Sequence, residues 1–209
     1  MASARSTNPR RRSAPQQERS RLMVERILTA GAQVLTDHGY DAATTNRIAE
    51  AAGISPGSLY QYFPDKEAII AEVVDRYTDQ VAARITAHLT SRLGDPDENR
   101  AAREVLGVLL DAMAERPKLL RAMIEHTPRL GVGNKIAAFE QRIGEIGIAY
   151  LRLQSQAINR VETTTWMLVR TVEHLSIRYV LDQPPIEREE FIDELSALIL
   201  TFPRRHAAQ

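Results

Sequence analysis

The chain of 209 residues has no cysteine, few aromatic side chains (four Phe, six Tyr, one Trp) and no net charge, with 27 Lys plus Arg balancing 27 Asp plus Glu. The lack of cysteine removes disulfides, thiolate zinc sites, iron–sulfur clusters and a cysteine nucleophile, and fits a reducing cytoplasm. Long apolar runs are also missing. The longest stretch without a charge, 51–64, falls short of the ~18 apolar residues a membrane span needs, and Gly53, Pro56 and Gly57 interrupt it. No membrane partner is expected. Arginines near the N-terminus are followed by no apolar segment, so this end does not read as a secretory signal. The length suffices to bury a core without metal or disulfide staples. Taken over the whole chain, zero net charge argues against nucleic acid, whose binders carry a basic excess.

By segment that argument reverses. Residues 1–21 hold Arg5, Arg10, Arg11, Arg12, Arg19 and Arg21 against Glu18 alone. Up to Lys66 there are nine basic and six acidic residues, and after it 18 and 21. A basic N-terminal part is joined to a mildly acidic remainder. Residues 1–17, rich in Ser, Pro, Asn and Gln as well as Arg, read as a disordered basic arm.

What is present is helical periodicity. Val24, Ile27, Leu28, Val34 and Leu35 recur at helix spacing until Gly39 stops a first helix over 22–38. Thr44 or Thr45 can cap a second, two-turn helix that ends at Gly53. Ser55 caps a third, with Pro56 at its first position, where a missing N–H costs nothing. A fourth begins after Pro64 and Asp65 and keeps one stripe, Ile69 to Leu89, for about seven turns before Gly94 and Pro96. Breaks at Pro117, Thr127–Gly133 and Gln183–Pro185 bound further helices over 98–116, 117–126, 134–156, 160–182 and 187–202. No strand pattern stands out. The fold class is all-α: three N-terminal helices, a long fourth helix as link, and a C-terminal helical bundle, about nine helices in all. The pattern divides the chain into a part over 18–66 and a part over 67–209.

Two short helices around Gly53-Ile54-Ser55, with Ala49 and Ala52 small enough for close crossing, form a helix-turn-helix whose second helix can enter a major groove. No acid occurs between Glu50 and Asp65. That suits a surface approaching phosphates, and a packed core hairpin would lack charges too.

The run from Thr44-Thr45-Asn46-Arg47-Ile48-Ala49-Glu50 through Ala51-Ala52-Gly53-Ile54-Ser55-Pro56-Gly57-Ser58 to Leu59-Tyr60-Gln61-Tyr62-Phe63-Pro64-Asp65-Lys66-Glu67 closely resembles the DNA-binding signature of the TetR/AcrR family of bacterial transcriptional regulators. Asp37-His38-Gly39-Tyr40 looks like the end of that family's first helix. The resemblance covers about residues 18–75. It implies a cytoplasmic homodimer that sets two recognition helices in successive major grooves of a pseudo-palindromic operator in double-stranded DNA. It further implies repression until a small molecule binds, taken here as small and largely apolar, with a helix-turn-helix DNA-binding domain over 18–66 and a ligand-binding and dimerisation domain over 67–209. Carried over by position, Thr44 or Thr45, Tyr62 and Lys66 would contact phosphate. Ser55, Pro56, Gly57, Ser58 and Gln61 would face bases, Gln61 being able to bond adenine twice and Pro56 to touch a thymine methyl. Tyr60 is expected half buried with its hydroxyl available, and Leu59 and Phe63 in the core. Arg47 either meets DNA or is plain surface. Arg10, Arg11 and Arg12 would follow the backbone or enter a minor groove.

The remaining two thirds agree with the family in length and helicity. The helix 160–182 is apolar on two sides, Leu168, Val172, Leu175 and Tyr179 on one and Trp166, Val169, Ile177 and Val180 on the other, so burial on both is expected. The resemblance implies a four-helix dimer interface from this helix and the last, which adds Phe191, Leu195, Leu198, Ile199 and Phe202. Arg170 and Glu173 stand near an apolar face and need partners. They read either as an internal ion pair or as groups orienting an effector in a pocket with Trp166, Met113, Met123, His126, Phe139 and Tyr150. The five histidines form no metal set, and no cofactor is expected. An enzyme is the competing class, but no nucleophile elbow, phosphate loop or paired acid is visible, so none is expected. A DNA-binding dimer controlled by a protein partner is the other alternative.

Removing residues 1–17 should weaken operator binding and flatten its salt dependence, measured by fluorescence anisotropy at several ionic strengths. Unchanged affinity and slope would reject a DNA-binding role for the arm.

Overall fold

The computed structural model describes residues 13–92, 97–130, 133–154 and 161–205, all helix and connecting turn. In chain order the helices are α1 (Ser13–Ala42), α2 (Thr45–Ala51), α3 (Pro56–Tyr60), α4 (Lys66–Ser91), α5 (Glu98–Ala114), α6 (Pro117–Leu130), α7 (Gly133–Gln154), α8 (Val161–Asp182) and α9 (Arg188–Arg205). The chain divides into two compact units, with the boundary inside α4 between Val73 and Val74.

In the first unit α1 buries Ile27, Leu28, Ala30, Val34 and Leu35, the stripe expected of an amphipathic helix. The helix begins nine residues before the expected Leu22, and residues 13–17, expected in the arm, are its first turns. Ala14, Gln16 and Gln17 favour helix, and Pro15 falls where no ladder N–H is needed. Gly39 interrupts α1 with φ 74°, as its role as a stop requires. Gly31 leaves room for α4: a Cβ there would stand 2.8 Å from Ile69 Cγ2. Ile69 and Ile70 are fully buried with Leu35, Ile48 and Leu59.

The second unit is a helical bundle. Leu106 and Leu110 of α5 pack on Ile192 and Leu195 of α9, and Val172, Tyr179, Val180, Phe191 and Ile199 close around them. Burying one such leucine stabilises by roughly 1.5–3 kcal/mol, so this cluster anchors α5, α8 and α9. The rings of Tyr179 and Phe191 stack at 4.2 Å. Tyr179 Oη donates to the Ile186 carbonyl at 3.0 Å, which fixes the α8–α9 turn. Arg103 pairs with Glu189 and Asp193, and Arg188 with Asp111, again between α5 and α9.

Part of the expected dimer stripe is engaged within the chain itself. Val172, Tyr179, Phe191, Leu195 and Ile199 face α5 of their own chain, whereas Leu175 and Leu198 are about 40 % exposed. The physical reason is α5, whose apolar side needs two partners and draws the broader faces of α8 and α9 inward. Leu168 is half-buried, and the side chain of Phe202 lies outside the described set. Two helices also outrun their expected ends. α6 continues through Pro128 to Leu130, and α9 through Pro203 to Arg205. Each proline stands within three residues of its helix end, where one lost ladder bond disturbs little. None of the described helices is long and apolar enough to cross a membrane.

Candidate functional site

The N-terminal site is built from caps. Thr44 is the N-cap of α2 and accepts from Arg47 N at 3.2 Å; Ser55 is the N-cap of α3 and accepts from Ser58 N at 3.1 Å. Between them Gly53 takes φ 63°, open to glycine without strain, and Ile54 N donates to the Ala49 carbonyl at 3.0 Å. One residue the sequence reading missed grips this turn. Arg26 of α1 donates from Nη2 to the Gly53 carbonyl at 2.9 Å. A Cβ at position 53 would come within 2.7 Å of that nitrogen, so conformation requires glycine here and any other residue would push the Arg26 guanidinium aside. No local pattern could have disclosed the pair, whose members lie 27 residues apart.

The turn presents α3 outward. Ser55, Pro56, Gly57, Tyr60 and Gln61 are exposed, Ser58 and Tyr62 half-buried, and Leu59 fully buried as expected. Gln61 follows the last turn of α3 as its C-cap. Tyr60 is more open than expected, at 53 %, because its ring leans out to share a hydrogen bond with the Thr45 hydroxyl at 3.0 Å. Phe63 is half-buried rather than core. Arg47 is exposed but not plain surface: its Nη1 donates to the Ala42 carbonyl at 2.9 Å and closes the end of α1. Lys66 is engaged as well, its ammonium 4.3 Å above the Tyr40 ring and donating to the Tyr40 carbonyl at 3.2 Å. An ammonium has three donors, so others remain for a phosphate. Asp65, the acid nearest α3, caps α4 by accepting from Ala68 N at 2.7 Å. Arg10, Arg11 and Arg12 lie outside the described residues.

In the second unit the expected effector residues separate. Met113 and Met123 are buried in α5 and α6, while Trp166 is 63 % exposed and Phe139 half-buried. Trp166 is therefore no inner wall of this chain: it lies on the side of α8 turned from Thr165, which is buried. The side chains of His126 and Tyr150 lie outside the described set. Arg170 and Glu173 do come together, with Glu140 of α7 as a third member. Arg170 pairs with Glu140 and, at 3.4 Å, with Glu173. Burial, and next the neighbouring Glu140 carboxylate, push the Glu173 carboxyl up to about 7 against the pull of Arg170. Lys135 and Arg142 of α7 reach the other way, to Asp75 and Asp79 of α4 at 2.8 and 2.7 Å. Among the described residues no three His, Asp or Glu side chains are grouped to hold a metal.

Comparison with known proteins follows the same division. Residues 27–73 match the model for bacterial regulatory proteins of the tetR family, and residues 99–202 the tetracyclin repressor-like C-terminal domain. The nucleoid occlusion factor SlmA of Haemophilus influenzae is 26 % identical over 103 residues, 49 % of this chain and 46 % of that protein. The aligned part thus spans less than half the length of such curated relatives. A TetR-family regulator structure from Mesorhizobium loti superposes with TM-score 0.75 at 19 % identity, covering 88 % of this chain and 96 % of that one. Thermus thermophilus FadR, a TetR-family repressor solved with lauroyl-CoA, superposes with TM-score 0.60 at 22 % identity over 85 % and 93 %. These two likenesses concern the fold.

Gly53→Ala should cost about 1–2 kcal/mol of stability from the left-handed backbone alone and weaken DNA binding further by displacing Arg26. Chemical denaturation and anisotropy check both, and wild-type values would refute the clamp. For Glu173 the sign is set by its raised pKa. The folded state keeps a proton that the unfolded chain, near 4.5, releases, so this group's stabilisation is complete at low pH and lost as pH rises through about 7. Glu173→Gln stays neutral throughout. Its melting temperature should match the wild type below pH 5 and exceed it above pH 7.5; a gap independent of pH would contradict this assignment.

Proposed function

The chain belongs to the TetR family of bacterial transcriptional regulators, which makes it a DNA-binding regulator, and from that premise we propose a homodimeric repressor released by a small, largely apolar effector. The observation that carries the DNA-reading part is the outer face of α3, exposed and free of charge from Pro56 to Gln61, held rigidly by two hydroxyl caps and the Arg26–Gly53 contact. Such a face can approach base edges without repelling phosphates. Ser55, Pro56, Gly57, Ser58 and Gln61 read bases. Thr44, Thr45, Tyr60, Tyr62 and Lys66 hold the backbone, and the Arg10–Arg12 cluster follows it. A pseudo-palindromic operator follows from two-fold symmetry of the dimer.

The dimer face is drawn from what the bundle leaves open. Met167, Leu175 and Leu198 are each about 40 % exposed on α8 and α9, and apolar side chains in such number on two adjoining helices support covering by a second copy. This is a narrower stripe than the sequence pattern suggested. DNA reading is assigned to residues 18–66 and effector binding and dimerisation to 67–209, and the protein works in the cytoplasm, where the operator is. FadR of Thermus thermophilus, described with lauroyl-CoA, supports an effector with an apolar chain.

Anisotropy with promoter-region duplexes against random duplex is the test. A preference of at least about a hundredfold is expected for a specific regulator, and equal binding would overturn the reading. Within it, Tyr62→Phe should weaken binding to all sequences alike, whereas Gln61→Ala should change which base is preferred at one position of each half-site.

A further inference from the structure

The seam between α7 and α8 carries more polar chemistry than a packed helix pair needs. Glu140 and Glu173 share a single guanidinium, that of Arg170, so the cluster holds two carboxylates against one cation. The Glu140 and Glu173 side chains are only 11 % and 22 % exposed, whereas Arg170 is 45 % exposed and leans toward water. With both carboxyls ionised one negative charge is left in a largely buried place, which is costly unless a proton or a second cation compensates it.

Two further observations flank this cluster. Thr165 and Ser176 of α8 are 2 % and 0 % exposed, and their hydroxyls have no hydrogen-bond partner among the described residues. Helical hydroxyls elsewhere bond back one turn: Thr78 to the Val74 carbonyl, Thr86 to that of Ala82, Thr171 to that of Met167. Ser176 is one turn from Glu173, and Thr165 lies on the same side of α8 two turns earlier. An unpaired hydroxyl so deep in a bundle is unusual and calls for a partner.

Space accompanies the charge. Glu140, Gly144 and Gly147 follow one another at helical spacing along α7, hence on one face. At Gly147 the helices touch, a Cβ there being 3.0 Å from Thr165 Cγ2. At Gly144, between the close crossing and Glu140, a Cβ would meet no heavy atom within 4 Å. The seam is tight at one end and open beside the carboxylates.

We propose that this seam is the effector site and that the effector is an organic cation, a protonated amine on an apolar body, held between Glu140 and Glu173. Its nitrogen supplies the second positive charge, and the Ser176 hydroxyl, one turn from Glu173 and without a partner among the described residues, stands nearer than that of Thr165 to accept from it. Its apolar part occupies the space beside Gly144, near the half-buried Phe139, Ile143 and Val169. This rests on the effector-controlled reading given above and adds the charge of the ligand to it.

Calorimetric titration of the full chain with octylammonium, octanoate and octan-1-ol, all below micellar concentration, tests the charge. Octylammonium should bind about one per chain and at least about tenfold more tightly than the other two, as a charge-assisted contact requires. Glu140→Gln and Glu173→Gln should each remove about that factor. Gly144→Leu keeps both carboxylates, favours helix and fills the open space, so it should abolish binding with helix content retained. Equal binding of octanoate or octan-1-ol, no binding of octylammonium, or unaltered affinity in Glu173→Gln and Gly144→Leu would each overturn the proposal. Operator affinity measured on the same samples keeps the two readings apart. Selective DNA binding without octylammonium binding removes the cation site alone, and loss of DNA selectivity removes the regulator reading whatever the amine does.

Discussion

A helix of five residues cannot hold its own shape. Fixing the first turn costs more than its hydrogen bonds return, and isolated helices need about 12–15 residues to be even marginal in water. α3 has five and α2 seven. Their geometry therefore depends on the turn between them, and that turn on glycine at position 53. The left-handed φ of 63° reverses the chain within three residues, and the Arg26 guanidinium bonds the carbonyl it exposes. With the turn set, Leu59 is committed to the interior beside Ile48, and Pro56 to Gln61 must face outward. The outward face of α3, to which the proposed function assigns DNA reading, results from a backbone constraint and one long-range contact.

The two units spend their charged side chains differently. Around α3 they serve the backbone: Arg26 bonds the turn, Arg47 the end of α1, Lys66 the Tyr40 carbonyl, Asp65 the start of α4. The outer face is thereby left uncharged, which a surface facing both phosphates and bases needs. In the bundle charges join helices to one another, α4 to α7 through Asp75–Lys135 and Asp79–Arg142, α5 to α9 through Arg103 and Arg188. Exposed pairs of this kind contribute only about 0–1 kcal/mol each. Their value lies in register, since each pair is satisfied at one sliding position of its helices and lost at the others.

The sequence disclosed what is local. Periodicity, hydroxyl caps and Gly or Pro stops placed every helix of the described residues to within a few positions apart from the start of α1, and the resemblance over about 18–75 identified the turn and its reading helix. It missed what is remote. Arg26 and Gly53 look unrelated in a linear string, and so do Tyr40 and Lys66. The contacts of the expected interface stripe within its own chain were hidden for another reason. A helix apolar on two sides, like α8, shows that both are covered without showing by what. Val172 and Tyr179 pack, partly buried, against the cluster that α5 and α9 form in their own chain, a partner no linear pattern could name. Arg170 and Glu173 were legible as needing partners, but Glu140, 30 residues away, became visible only in three dimensions.

The placement of α7 gives these ion pairs a consequence for signalling. Its Lys135 and Arg142 lie one turn-multiple apart on the face toward α4, and Glu140 projects from the other side toward α8. α7 is thus tied on both flanks, and a helix packed at interior density does not deform gradually. Wedging α7 away from α8 beside Gly144 would either break the two aspartate pairs or draw α4 with it. Breaking exposed pairs costs little, so a small displacement would dissipate there. A displacement of a whole helix exceeds what side chains can absorb, so either both pairs are lost or α4 moves with α7. The two aspartate pairs thus set how far α7 can shift within the bundle before α4 must follow it.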